Sequence, residues 1–134
     1  MIQRPRLHVI DNDIQFCESI KENLKNFFLI SVSNGGMEGY SFALSQRPDI
    51  FLISQDMQGW DGVRPLVAIR EQPKLKNIPV LMVIGDPNRE IALAVFSAGA
   101  NGCLRKDQIR DENLIERLRE LLPASLKNQR FVCA

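Results

Sequence analysis

Three short clusters of polar side chains follow apolar runs in this sequence and combine groups that bind or neutralise charge. They are Asp11-Asn12-Asp13, Ser54-Gln55-Asp56 and Arg105-Lys106. The carboxylates of Asp11 and Asp56 can attract a metal cation, or they can pair with the ammonium group of Lys106. The chemistry to expect from these clusters is therefore that of a bound cation or of an internal ion pair.

The elements that must position these clusters form a repeated alternation of strand and helix. Ile50–Ile53 is a continuous apolar run, which is typical of a central strand covered by helices on both faces. The alternation occurs five times and predicts an α/β fold with a doubly wound, five-stranded parallel sheet. Sites in such sheets lie at the carboxyl ends of the strands, so the three clusters and Ile84-Gly85 are expected to meet at one rim.

The hydrophobic pattern places five strands and five helices along the chain. The predicted strands are Leu7–Ile10, Phe28–Ser33, Ile50–Ile53, Ile78–Val83 and Gly102–Leu104. The first helix is expected to be capped by Asn12, with Gln15 three positions later. Its predicted buried face consists of Ile14, Cys17, Ile20, Leu24 and Phe27. The other predicted helices cover Met37–Ser45, a stretch from the cap Asp61 to Arg70 with Pro65 in its first turn, a stretch ending at Ala98 before Gly99, and Asp111–Leu122.

Length and composition indicate one globular domain over residues 1–123, followed by a tail or the start of a linker over residues 124–134. The chain has 134 residues, 45% of them hydrophobic, and a formal net charge of +1. Its basic residues are dispersed, which argues against nucleic-acid binding. No signal peptide or membrane-length apolar run is present, so a cytoplasmic protein without membrane contact is expected. The cysteines Cys17, Cys103 and Cys133 lack the spacing of a zinc site and are interpreted as reduced thiols.

Five sequence motifs occur in the order and spacing of a known family. The stretches LHVIDND, NGGMEGYSFALSQRPDIFLIS, MQGWDG, IPVLMVIG and SAGANGCLRKD resemble the bacterial response-regulator receiver domain over residues 6–122. The resemblance implies a (βα)5, flavodoxin-like fold. It also implies a site in which an aspartate after the third strand accepts a phosphoryl group from a histidine kinase. In the family, two acids after the first strand hold Mg²⁺, a Thr or Ser after the fourth contacts the phosphoryl oxygens, and a Lys after the fifth neutralises them.

The chain departs from this pattern at most of the functional positions. It keeps Asp11 as the first acid and Lys106 as the lysine. The departures are Asn12 for the second acid, Ser54 for the acceptor, Ile84 for the Thr or Ser, Cys103 for the switching aromatic and Asp107 for the proline after the lysine. We interpret the chain as a pseudo-receiver, a member that retains the fold and has lost the phosphorylation switch.

The chemistry of the substituted residues explains why the changes belong together. A labile acyl phosphate requires a carboxylate, whereas the hydroxyl of Ser54 would give a stable ester. Neutral Asn12 and Ser54 weaken Mg²⁺ binding, so no metal or other cofactor is predicted, and Lys106 is expected to neutralise Asp11 instead. The sequence thus predicts a non-enzymatic, phosphorylation-independent protein–protein interaction module. The alternative is a phosphoacceptor that uses Asp56 or Ser54, and a flavodoxin-like enzyme is disfavoured because no phosphate-binding loop is present.

The fourth predicted helix supplies the expected interaction surface. Leu93 and Phe96 are expected to face the core, which leaves an unusually apolar outer face. The predicted partner interface consists of Ile91, Ala94, Val95, Cys103 and Arg105. Partners would be a histidine kinase, a downstream signalling protein, or a second copy bound through the fourth helix, fifth strand and fifth helix. His8, within the first strand, is expected to be a packed, hydrogen-bonded residue rather than a catalyst.

Overall fold

A computed structural model of the chain describes residues 4–57, 63–85 and 88–127. Five parallel strands form one sheet in the order β2-β1-β3-β4-β5. The strands are β1 (Arg6–Ile10), β2 (Leu29–Ser33), β3 (Ile50–Ser54), β4 (Val80–Ile84) and β5 (Gly102–Arg105). The helices are α1 (Ile14–Leu24), α2 (Gly36–Gln46), α3 (Val63–Glu71), α4 (Arg89–Ser97), α5 (Asp111–Leu121) and α6 (Ala124–Lys127). The doubly wound parallel sheet predicted from the alternating pattern is confirmed.

The sheet separates two hydrophobic cores because successive side chains of each strand point to opposite faces. Leu7 and Val9 of β1 pack in the core beneath α1 and α5, whereas Ile10 packs in the core beneath α2, α3 and α4. The side chains of β3 likewise alternate between the two cores, and all five residues of this strand are buried. Burial on both faces explains why the central strand is a continuous apolar run rather than an alternating one.

The predicted start of α1 is wrong by one residue. Asp13, not Asn12, is the N-cap, since its side chain accepts a hydrogen bond from the backbone N–H of Phe16 at 3.1 Å. Ile14 is then the first helical residue and is 63% exposed, so it does not join the predicted buried face. Cys17, Ile20 and Leu24 do form that face, and the helix ends before the predicted Phe27.

The turn after α4 confirms Gly99 as the helix stop and explains why glycine is needed there. Gly99 has a φ of +109°, and a Cβ at this position would lie 2.9 Å from the side chain of Arg70. The stem of the Arg70 side chain and its Nε fill this space. The guanidinium donates to the carbonyl of Gly99 at 2.9 Å, to that of Ile78 at 2.7 Å and to Asn101 Oδ1 at 2.6 Å. Arg70 therefore ties the end of α3 to the turn that leads into β5.

The remaining predicted boundaries differ from the observed ones by one or two residues. Pro65 lies in the first turn of α3 as expected. Asp61, the predicted cap of that helix, lies outside the described residues, and so does Cys133. The tail begins with the short helix α6, whose Leu126 packs against the core beneath α1 and α5. Within the described residues, no helix has the length and apolar character needed to cross a bilayer.

Candidate functional site

The carboxyl ends of β1, β3 and β4 bring three of the predicted site residues to one place. Ile10 pairs with Ile53, so that Asp11 and Ser54 end neighbouring strands, and Ser54 pairs with Val83, the residue before Ile84. Asp11, Ser54 and Ile84 are all buried. Asn12 and Asp56 are exposed, and Asp56 lies two residues beyond the end of β3. The predicted rim is therefore present, with a buried centre and exposed flanks.

The predicted ion pair between Asp11 and Lys106 is present at the centre of this rim. Lys106 Nζ donates to Asp11 Oδ2 at 3.0 Å. The other carboxylate oxygen, Oδ1, accepts the backbone N–H of Asp13 at 2.9 Å. The side chain of Asp11 is only 1% exposed. Both oxygens of this buried carboxylate are therefore engaged by groups of the chain itself.

Asp13 is a second carboxylate partner of Lys106, which the sequence pattern did not indicate. Its Oδ2 lies 3.3 Å from Lys106 Nζ, while its Oδ1 caps α1 through Phe16. The ring of Phe16 completes the surroundings of the ammonium, with its centroid 4.4 Å from Nζ, as in a cation–π contact. One sequence signal pointed to Asp13, namely an aspartate at a helix start three residues before the aromatic Phe16. This signal did not identify Asp13 as the cap, because the adjacent Asn12 is an equally favourable one. We call Asp11, Asp13 and Lys106 the ion triplet.

Within the ion triplet, the local electrostatics favour the charged forms of Lys106 and Asp13. Partial burial by itself lowers the pKa of Lys106, but the hydrogen bonds and charges of Asp11 and Asp13 outweigh it, and the pKa of Lys106 is raised. The pKa of Asp13 is lowered, first by the hydrogen bond from the Phe16 backbone and then by Lys106. The ammonium of Lys106 and the carboxylate of Asp13 therefore stabilise each other.

The residues at the rim do not fit a Mg²⁺ ion as they are arranged. Mg²⁺ in proteins is held by one or two carboxylates with waters in octahedral geometry. In this chain the Asp11 oxygens are occupied by Lys106 and a backbone N–H, and Asn12 and Ser54 contribute no charge. Over residues 4–57, 63–85 and 88–127, no three Asp, Glu, His or Cys side chains come together in a way that would hold a metal ion. The ammonium of Lys106 supplies the positive charge that the site requires.

His8 is a buried, hydrogen-bonded residue, as predicted. Its Nδ1 lies 2.7 Å from Ser31 Oγ, its Nε2 lies 2.8 Å from Ser33 Oγ, and its ring stacks on Phe42 with centroids 4.1 Å apart. Burial lowers the pKa of His8 to about 4, so the ring is neutral at physiological pH. Both ring nitrogens contact serine hydroxyls of β2, so this imidazole is not available as a general base for Ser54.

The two described cysteines are packing residues. Cys17 is buried in the core beneath α1, and burial raises the pKa of its thiol to about 11. Cys103 is half-buried against the other core, and burial raises the pKa of its thiol as well. Neither thiol has the depressed pKa of a reactive cysteine.

The exposed face of α4 is apolar, but its residues differ from those predicted. Leu93 and Phe96, expected in the core, are 55% and 49% exposed, whereas Val95, expected at the interface, is fully buried. Ile91 is half-buried against the core together with Ala98. Ile91, Val95 and Ala98 follow the spacing i, i+4, i+7 and form the buried stripe. The exposed residues of α4 are the charged Arg89 and Glu90 in its first turn, followed by Leu93, Ala94, Phe96 and Ser97.

The other two predicted interface residues lie on β5, beside this face. Cys103 and Arg105 are both half-buried. The guanidinium of Arg105 forms a 2.9 Å ion pair with Asp107, the residue at the position of the family's proline. These two residues stay candidates for a contact surface, whereas Val95 does not.

Comparison with known proteins assigns the family. The model of the response regulator receiver domain matches residues 7–119, and the chain belongs to this family. It is similar to the nitrate/nitrite response regulator protein homolog of Haemophilus influenzae, with 29% identity over 77% of this chain and 51% of that protein. It is also similar to the transcriptional regulatory protein PrrA of Mycobacterium tuberculosis, with 27% identity over 90% of this chain and 51% of that protein.

Solved structures support the fold alone, because their sequence identities are low. The chemotaxis protein CheY4 of Vibrio cholerae has a TM-score of 0.84 and 22% identity, over 89% of this chain and 99% of that one. A putative response regulator from Chloroflexus aurantiacus also has a TM-score of 0.84, with 23% identity over 89% of this chain and 98% of that one. By contrast, the chain spans about half the length of the response regulators named above. It is a receiver domain of the two-component response-regulator type.

Proposed function

We propose that this receiver domain is a non-enzymatic, phosphorylation-independent interaction module of two-component signalling in the bacterial cytoplasm. The observation that carries the proposal is the ion triplet beside Ser54. Lys106, the family's phosphoryl-neutralising lysine, contacts Asp11 and Asp13, and a serine stands where the family has its acceptor. The positive charge of the pocket is already compensated by the chain's own carboxylates.

The surroundings of Ser54 argue against an activated serine. A serine hydroxyl becomes a useful nucleophile only beside a general base. The chain's single histidine is bonded to Ser31 and Ser33 of β2, and the carboxylate of Asp11 is bonded to Lys106. Ile84 has no hydroxyl with which to contact a phosphoryl oxygen. These features support the loss of phosphotransfer rather than a change of nucleophile.

The alternative function is phosphoacceptance at Asp56 or Ser54 with an altered metal dependence. One observation favours Asp56, because its carboxylate is exposed and close in sequence to the end of β3. Its position beyond the strand separates it from the buried Asp11. The two functions are distinguished by whether the native chain takes up a phosphoryl group at all.

The apolar face of α4 is the surface that we propose for partner binding. Leu93 and Phe96 lie three residues apart, and each is about half exposed, which is unusual for such large side chains on one short helix. The partner would be a histidine kinase, a downstream signalling protein or a second copy of the chain.

One relative is named a DNA-binding dual master transcriptional regulator, RpaA of Synechocystis, and this chain spans 49% of it. The absence of nucleic-acid binding stays a prediction for the residues of this chain.

Replacing Leu93 and Phe96 together by glutamate should abolish association with the partner or the second copy while leaving the fold unchanged. The side chains are exposed, so the change in the free energy of unfolding should stay within about 1 kcal/mol. Sedimentation velocity measures self-association, and affinity co-purification measures binding to other proteins. Ile91, a predicted interface residue, is less suitable for this test because it also packs on the core.

Leu44→Glu with Val67→Glu is the matched control for this experiment. Leu44 and Val67 are 40% and 38% exposed and lie on α2 and α3 rather than on α4. The control should keep the native association profile. An unchanged oligomeric state and partner profile in the α4 variant would show that its apolar face is not the contact surface.

A further inference from the structure

The ammonium of Lys106 occupies a position that is already built as a cation site. Asp11 and Asp13, both in the connection between β1 and α1, each place a carboxylate oxygen near Nζ, at 3.0 Å and 3.3 Å. The aromatic ring of Phe16 also contacts the ammonium. The Lys106 side chain is 28% exposed, whereas that of Asp11 is 1% exposed. A carboxylate as buried as Asp11 is strongly destabilising without a positive partner. The buried carboxylate of Asp11 therefore requires a positive partner, and the ammonium of Lys106 is that partner.

We infer that Lys106 is the resident cation of this pocket, in which Asn12 and Ser54 leave too few charged ligands for a metal ion, and that Asp13 is the positioning residue that holds the ammonium there. The inference rests on the proposed function, in which the pocket has no phosphoryl group to neutralise. It goes further by assigning a role to Asp13, a residue outside the family's phosphorylation set.

Asp13 can hold Lys106 because the same side chain fixes the start of α1. Its Oδ1 accepts the Phe16 N–H, and this bond orients Oδ2 towards Lys106. The backbone N–H of Asp13 in turn holds Asp11 Oδ1. One residue therefore links the β1–α1 connection to the turn that follows β5, without any bound ligand.

The inference predicts that removing the ammonium exposes a latent metal site. Lys106→Met keeps the apolar stem of the side chain but leaves Asp11 and Asp13 facing each other without a cation. The free energy of unfolding should fall in the absence of metal. With about 10 mM Mg²⁺, the midpoint of thermal unfolding should rise by about 3 °C or more in Lys106→Met and by less than about 1 °C in the native chain. Differential scanning calorimetry with and without Mg²⁺ measures both changes.

Asp13→Asn is the variant that isolates the second carboxylate. Asparagine caps helices as well as aspartate does, so α1 should remain intact while the charge is lost. The Mg²⁺ effect should disappear in the double variant Asp13→Asn/Lys106→Met. In the Asp13→Asn single variant, the pKa of Lys106, measured by NMR on its Nζ or Cε, should fall relative to the native chain. Asp107→Asn, which removes a carboxylate paired with Arg105 instead, should leave that pKa unchanged.

Three results would overturn the inference. The first is a Mg²⁺-induced rise in the native chain equal to that of Lys106→Met, which would mean that the ammonium is readily displaced. The second is Lys106→Met that gains nothing from Mg²⁺ or stays unfolded at every Mg²⁺ concentration. The third is a Lys106 pKa that does not change in Asp13→Asn. None of these results involves a phosphodonor, so the proposed function can fail or hold separately.

Discussion

A variant carrying Asn12→Asp and Ser54→Asp should take up one phosphoryl group from a small-molecule phosphodonor in the presence of Mg²⁺, whereas the native chain should take up none. The substitutions return a nucleophilic carboxylate to the end of β3 and a second acid beside Asp11. The pairing of Ile10 with Ile53 shows that residues 11 and 54 end adjacent strands. Together with Asp11, the new carboxylates give Mg²⁺ the oxygen ligands that the native residues lack. Intact-mass analysis before and after incubation measures the gain.

The matched control for this gain is Asn12→Asp with Ser54→Asn, which adds the second acid and a side chain of aspartate's size but no nucleophile. The control should stay unmodified, and treatment with hydroxylamine should remove the group from the active variant because an acyl phosphate is labile. A double variant that stays unmodified would show that positions 12 and 54 do not account for the loss of phosphotransfer. Other residues of the pocket would then be its cause.

The stability of the native chain should fall by about 2 kcal/mol between pH 7 and pH 5, and by about 3 kcal/mol by pH 4, because of His8 alone. Burial lowers the pKa of His8 from 6.5 to about 4. The unfolded chain therefore binds a proton below pH 6.5, whereas the folded chain does not until about pH 4. Because the unfolded state holds more protons in this window, the free energy of unfolding decreases as the pH falls. Urea unfolding at intervals of pH measures this slope.

His8 can be tested in isolation because it is the chain's only histidine. His8→Phe keeps a planar ring against Phe42 and removes the titrating group, so the slope between pH 5 and pH 7 should become flat whatever the variant's overall stability. The histidine Cε1 proton in NMR spectra of the native chain should show no titration above pH 5. A measured pKa near 6.5 would contradict the buried, serine-bonded imidazole.

The fold could be predicted from the sequence because its determinants are local. Each strand is a short apolar run, and the runs alternate with helical patterns. Gly99 and Pro65 mark a helix end and a helix start through backbone preferences that do not depend on distant residues. Boundaries were less certain where two good candidates were adjacent. Asn12 and Asp13 are both favourable caps, and only the hydrogen bond from Phe16 distinguishes them.

The sequence predicted part of the candidate site, the pair of Asp11 and Lys106, and missed the contribution of Asp13. Asp11 and Lys106 are 95 residues apart, and they were expected to meet because both follow strands of a parallel sheet at the same rim and because both match the pocket of the receiver family. The participation of Asp13 and Phe16 depends on side-chain directions at the start of α1, which a sequence pattern does not specify. The partners of His8 likewise depend on β2 lying next to β1 rather than on any motif.

The buried face of α4 was predicted wrongly because its composition defines no unique stripe. The helix has the sequence REIALAVFS, in which apolar residues occur on every side. Leu93 with Phe96 and Ile91 with Val95 both satisfy helical spacing, so periodicity could not choose between them. The structure turns the second pair towards the core, with Val95 fully buried and Ile91 half-buried. The exposure of Leu93 and Phe96 is therefore a feature of tertiary packing.

Intact-mass analysis of the native chain after incubation with a small-molecule phosphodonor and Mg²⁺ tests the loss of the phosphorylation switch most directly, with Ser54→Ala and Asp56→Asn measured beside it. We expect an unchanged mass for all three proteins, because the pocket contains a compensated lysine and no activated acceptor. A phosphoryl adduct on the native chain would contradict this expectation, and its loss in one of the two variants would identify that residue as the acceptor.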